Sequence, residues 1–152
     1  MKLLAIDTTE AACSAALLVD SEISERFDIV PRRHSELILP MIDELLAEAQ
    51  LKPASLDAVA FARGPGSFTG VRIATAVIQG IATAAELPVV PVSSLLALAQ
   101  GALRERQTKR VLAGFDARMN EVYWAACLPG DSGVMTFAEE ELVCAPEQIP
   151  LP

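Results

Sequence analysis

Residues 58–86 read Ala58-Val-Ala-Phe-Ala62, Arg63, Gly64-Pro-Gly-Ser-Phe-Thr-Gly70, and then an almost unbroken apolar run to Glu86. The five-residue apolar stretch has the length of a buried strand, the glycines turn the chain, and the run beyond Gly70 has the length of a helix. In that helix Arg72, Thr75, Gln79, Thr83 and Glu86 fall on one narrow line, and the other residues are apolar or small. A helix apolar nearly all round has to be covered on two sides. A sheet takes one side; the other needs a neighbouring helix or another chain. Strand, glycine loop and helix together form half of a parallel crossover, and the class is therefore α/β.

Working upstream, Lys2 to Asp7, Ala12 to Val19 and Glu22 to Ile29 read as three strands joined by tight connections, hence antiparallel neighbours. From Ser35 the period changes. Leu37, Ile38, Met41, Ile42, Leu45, Leu46 and Ala49 make a helical stripe, with Glu36, Asp43, Glu44 and Glu48 opposite. Pro40 removes one backbone donor there, so an irregular or kinked first turn is expected. Downstream, Val89 to Val92 is a short strand and Ser93 caps a third helix reaching about Arg106. The order is three strands, then helix, strand, helix, strand, helix, in a mixed sheet. An internal echo follows: Leu-Leu-Ala-Ile-Asp7 and Val-Leu-Ala-Gly-Phe-Asp116 each end an apolar strand in Asp, turn, and enter a second strand. A repeated unit of this kind marks a second lobe starting near Val111.

Apolar residues make up 52% of the 152 and aromatics only 5%, with alanine and leucine dominant. That excludes a disordered chain. No apolar run is free of polar breaks, so no membrane span is expected. The net charge of −8 argues against a nucleic-acid groove built from this chain alone. The sign varies along the chain, from −5 over residues 1–63 to +3 over 64–110 and −6 over 111–152. The basic patch Arg104, Arg106, Lys109 and Arg110 reads as a solvated helix end favoured by the dipole. Cys13, Cys127 and Cys144 are odd in number and contain no C-x-x-C, so neither a disulfide framework nor a zinc ribbon follows. With no signal segment at Met1, a cytoplasmic protein is expected.

The candidate motifs are weak as catalytic sites. The 64–70 loop precedes a helix, the context for anion binding, but Val71-Arg72 stands where a Walker loop has Lys-Ser/Thr. Asp7-Thr8-Thr9 reads as a strand-end turn closed by short polar side chains. His34 is the one histidine, which rules out His-pair metal motifs. A two-metal nuclease needs a second carboxylate near Arg63 and Gly64, and Asp57 lies at the wrong end of its strand.

Four blocks together carry a family resemblance: Ile6-Asp7-Thr8-Thr9; Arg33-His34-Ser35-Glu36-Leu37-Ile38-Leu39-Pro40; Gly64 to Arg72; and Asp116-Ala117-Arg118 with Glu121-Val122-Tyr123. In that order and spacing they resemble the TsaB (YeaZ) family, which helps bacteria make threonylcarbamoyladenosine at position 37 of tRNA. The resemblance implies an actin-like fold (sugar kinase, Hsp70, actin; ribonuclease H-like). Residues 1–108 are expected to form one complete lobe, and residues 109–152 the start of a second, truncated one. It also implies a non-catalytic scaffold that binds and stabilises TsaD, with TsaE as a further partner. TsaD carries a His-x-x-x-His metal motif where Ser94 and Leu98 stand here. No cofactor or metal is expected on this chain; ATP and metal belong to the partners. Direct membrane contact is not expected, tRNA is met through the complex, and the chain alone pairs as a homodimer.

The implied partner interface is His34, Leu37, Ile38, Met41, Ile42, Leu45, Val71, Ala74, Thr75 and Ile78. Ile42→Glu or Ala74→Glu is accordingly expected to abolish pairing while leaving the fold largely intact. The competing reading is an actin-like nucleotide-binding ATPase or kinase-like enzyme, with Asp7, Gly64 to Gly70 and Asp116 around the phosphates. A weaker one is direct tRNA contact through the basic patch.

Overall fold

The computed structural model describes residues 1–149. By its contacts the chain divides into two units, Met1–Val92 and a second beginning at Ser93.

In the first unit, β1 (Lys2–Asp7), β2 (Ala12–Val19) and β3 (Glu22–Ile29) form an antiparallel meander. β4 (Ala58–Ala62) and β5 (Val89–Val92) then add in parallel to β1, giving the order β3-β2-β1-β4-β5. Helices α1 (His34–Glu48) and α2 (Phe68–Ala85) make the two crossovers. Their inner residues meet Leu4, Ile6, Cys13, Ala15, Leu17 and Val59 in one core. Asp57 ties the start of β4 to β1, accepting a 2.7 Å bond from the Lys2 amide.

Of two local features, the first differs from the sequence reading. α1 runs unbroken through Pro40, which lies on its exposed side, where water can solvate the carbonyl left without an amide partner. β3 faces the other way from an ordinary amphipathic strand. Its partners across from buried Ala15 and Leu17 are Arg26 and Ser24, so its polar row points to the helix side. Ile23, Phe27 and Ile29 therefore lie on the opposite face and are 62–66% exposed. Arg26 explains the inversion: its Nε bonds Glu44 of α1 at 2.9 Å and its other arm bonds Glu48.

α2 has the length and apolarity that a membrane crossing requires. Here Gly70, Ala74, Ile78 and Ala82, one residue per turn, form its buried row against the sheet.

In the second unit, α3 (Ser94–Arg106) covers one face of a four-stranded sheet of β6 (Val111–Arg118), β7 (Glu121–Pro129), β8 (Met135–Phe137) and β9 (Leu142–Cys144). β6 pairs one edge of β7, while β8 and β9 share the other. Leu95 and Ala99 of α3 join Ala113, Ala125, Cys127 and Met135 in a separate core. α3 therefore belongs with the second sheet, whereas the sequence reading placed it before a boundary at 108/109. Ser93 caps it as expected, accepting from the Leu95 amide at 3.2 Å. The internal echo is structural too: the Asp7 carboxylate accepts the Thr9 amide, and the Asp116 carboxylate accepts the Arg118 amide, each at 2.7 Å.

Candidate functional site

The glycine loop is fastened to the β1–β2 hairpin. The Ser67 amide donates to the Thr9 carbonyl at 2.6 Å, and the Thr8 hydroxyl donates to the Gly70 carbonyl at 2.6 Å. Ser67 Oγ caps α2 by accepting from the Gly70 amide at 3.3 Å. The two glycines are needed for close approach. A Cβ on Gly66 would sit 2.5 Å from the Thr9 carbonyl oxygen, and one on Gly70 would overlap the Thr8 carbonyl oxygen. Gly64, at φ +94°, supplies the left-handed turn that leads in.

The consequence for chemistry is direct. Where a phosphate-binding loop leaves its amides open, this loop uses two of them on protein oxygens, and carbonyl oxygens occupy the space beside Gly66 and Gly70. Asp7 is similarly committed: one carboxylate oxygen accepts both the amide and the hydroxyl of Thr9, at 2.7 and 2.6 Å. Asp116 binds its own turn and the Arg118 guanidinium at 3.1 Å.

His34 opens α1 as a buried residue, its Nε2 3.2 Å from the Ala12 carbonyl. The nearby Cys13 thiol is held above the ordinary thiol range, first by burial and then by the negative charges of Asp28 and Asp7. Both helix starts are thus rooted on the same hairpin, α1 at Ala12 and α2 at Thr8 and Thr9. Among the described residues no group of three or more His, Cys, Asp or Glu side chains could hold a metal.

The helices present a different set of residues outward than the sequence reading chose. Ile38, Ile42, Leu45, Ala74 and Ile78 are at most 2% exposed, and His34 is buried as well. They fill this chain's own core, and of them Ile78 also lines the open groove beside α2. Leu37, Met41 and Val71 are half-buried, and Thr75 is exposed. Those four remain on or beside the outer face. To them the structure adds Leu39 on α1 and Ala76, Gln79, Gly80 and Thr83 on α2. The line of polar residues on α2 had already marked this face; alanine and glycine beside it carry no signal of their own. Beside α2 runs an open apolar groove of about 430 Å³, with Thr75, Gln79 and Thr83 on one wall and Phe61, Leu87 and Val89 on the other. At the N-terminal end the Arg72 guanidinium stacks 3.7 Å from the centroid of exposed Phe68.

Comparison with known proteins places this arrangement. A family model for TsaD, tRNA N6-adenosine threonylcarbamoyltransferase, matches residues 21–149. The tRNA threonylcarbamoyladenosine biosynthesis protein TsaB of Escherichia coli K12 is 46% identical over 97% of this chain and 64% of its own length. The TsaB protein of Haemophilus influenzae is also 46% identical, over 97% of this chain and 66% of its length. The chain thus spans about two thirds of these curated relatives. YeaZ from Pseudomonas aeruginosa superposes with a TM-score of 0.96 at 47% identity, covering 99% of this chain and 70% of that one. A second solved structure, of a protein similar to peptidase YeaZ from P. aeruginosa, gives 0.95 at 47% identity, with 99% and 69% covered. Fold, motifs and identity agree: the chain has an actin-like fold and belongs to the TsaB (YeaZ) family, within the wider TsaD family.

Proposed function

We propose that this chain is a non-catalytic scaffold subunit that binds and stabilises a TsaD-type transferase, with TsaE, in forming threonylcarbamoyladenosine at position 37 of tRNA. The observation that carries the reading is the outer face of α2. From Thr75 to Ala84 it exposes Thr75, Ala76, Gln79, Gly80, Thr83 and Ala84, with no charged side chain, next to an apolar groove. Small side chains let a second helix approach closely, and such packing brings helix axes to about 8–10 Å. Leu39 and the half-buried Leu37 and Met41 of α1 extend the apolar surface.

The filled glycine loop supports the same reading, since its amides and Asp7 serve the fold rather than a nucleotide. ATP and metal then belong to the partner subunits, in a cytoplasmic complex through which tRNA is met. A peptidase role has no support in the site: the one histidine is buried at the start of α1, with its Nε2 against a backbone carbonyl. Alone, the chain pairs with a second copy through the same helices, as two-fold dimers reuse one patch.

The test is a pull-down with TsaD and TsaE followed by a tRNA modification assay. Ala76→Glu, on the exposed face, is expected to abolish capture while unfolding stays at the wild-type midpoint. Capture of TsaD by this variant at wild-type yield overturns the interface. Calorimetry with ATP and magnesium tests the enzyme reading; micromolar binding with turnover by the chain alone overturns the scaffold.

A further inference from the structure

The second unit is acidic, yet four of the five bases in residues 93–149 fall within seven consecutive positions, Arg104, Arg106, Lys109 and Arg110. The sequence alone accounts for such a cluster as a helix end favoured by the dipole. The structure limits that account. α3 stops at Arg106, and Gln107 closes it in the left-handed conformation, its amide donating to the Leu103 carbonyl at 3.0 Å. The Gln107 side chain takes the Arg104 carbonyl at 3.2 Å. The dipole acts within the last turn, so it covers Arg104 and Arg106 and leaves Lys109 and Arg110 without a role in the helix.

Nor are these side chains absorbed by ion pairs. All four are exposed. Arg104 reaches only its neighbour Glu105, at 3.8 Å, and the other three have no acidic partner among the described residues. Segregated bases on an otherwise acidic unit, three of them without an acidic partner among the described residues, make a local positive potential that attracts polyanions. Three are arginines, whose planar guanidinium matches phosphate oxygens in pairs. From Arg104 to Arg110 the backbone spans at most about 20 Å, so the four bases lie close enough together to meet neighbouring phosphates of one strand.

We infer that residues 104–110 form a direct contact with the tRNA phosphate backbone, one that positions the RNA without reading its bases. The inference rests on the tRNA-modification reading above and adds to it that this subunit touches the RNA itself.

The test is binding of unmodified tRNA by the full chain, followed by fluorescence anisotropy between 25 and 200 mM salt. Wild-type binding is expected to weaken with a log–log slope of about −3 to −3.5, since each of the four phosphates neutralised contributes roughly 0.7–0.9. The Arg106→Gln, Lys109→Gln, Arg110→Gln triple variant should lose about 2 of that slope. Its affinity at low salt should fall about tenfold or more, one factor of ten being about 1.4 kcal/mol. Arg118→Gln, a base elsewhere in the same unit, should leave the slope unchanged. An unchanged slope in the triple variant, or no tRNA binding by the wild type at 25 mM salt, overturns the inference. So does competition by polyglutamate as effective as by tRNA, which would assign the patch to an acidic protein surface. The triple variant should still capture TsaD. Failure of the wild type to do so sinks the scaffold reading and leaves the tRNA measurement standing by itself.

Discussion

Gly70 is where a missing side chain matters most. Its α-carbon faces the Thr8 carbonyl, which is backbone and has little room to retreat. Gly70→Ala is expected to destabilise the chain by on the order of 3 kcal/mol, at the upper end of overpacking. Gly80→Ala, with open space around it, should instead stabilise slightly, by roughly 0.5–1 kcal/mol of helix propensity. Denaturant midpoints check both, and equal effects would contradict the plugged-loop geometry. The thiols give a second residue-scale expectation. Cys127, like Cys13, is held above the ordinary thiol range, first by burial and then by Glu141. A proton bound more tightly in the folded chain than in the unfolded one contributes stability that is complete below the unfolded thiol's pKa. That contribution is lost as pH rises from roughly 8.5 toward the folded value. Stability should therefore decline on the alkaline side. Iodoacetamide at pH 8 should label half-buried Cys144 ahead of buried Cys13 and Cys127; equal native labelling of all three would refute this.

At the level of the helix, phase separates a core residue from an interface residue. Ile42 and Ala76 both sit on apolar helices, but the first is 2% exposed and the second lies on the open side. Ile42→Glu places an unpaired carboxylate in the core, and such a change typically costs several kcal/mol or forces protonation. It is expected to lower the unfolding midpoint sharply, as is Ala74→Glu, and any loss of pairing then follows from loss of fold. Ala76→Glu should change pairing alone. Unfolding curves recorded beside the pull-down separate the cases; a folded Ile42→Glu at the wild-type midpoint would place Ile42 outside the core. The stripes were legible because apolar residues recur at helical spacing in residues 37–49 and 71–85. Which of two apolar flanks faces the sheet was not, because Ala and Gly occupy both sides of α2. β3 shows the same limit in a strand. Its alternation was plain, yet its direction was set by Arg26 reaching Glu44 and Glu48, 18 and 22 residues away.

For the molecule as a whole, the position of α3 decides what can be separated. Residues 1–92 hold one core complete in themselves, while Leu95 and Ala99 belong to the other. A fragment of residues 1–92 is therefore expected to unfold cooperatively and stay soluble. One of residues 1–108 should associate more readily, because it carries α3 without the sheet that buries it. Sedimentation of the two checks this, and a better-behaved 1–108 fragment would return α3 to the first unit.

By itself the sequence determined the strands and helices as far as the second Asp turn, their crossover order and the repetition of that turn, because hydrophobic period and glycine placement act locally. It also determined the family, through four motifs in fixed order. Only the tertiary structure decided that the space beside Gly66 and Gly70 is filled by Thr9 and Thr8, that the inner rows of α1 and α2 fill this chain's core, and that Lys109 and Arg110 have no acidic partner among the described residues. Each of these depends on which surfaces meet across long sequence separations, and spacing along a chain does not encode that.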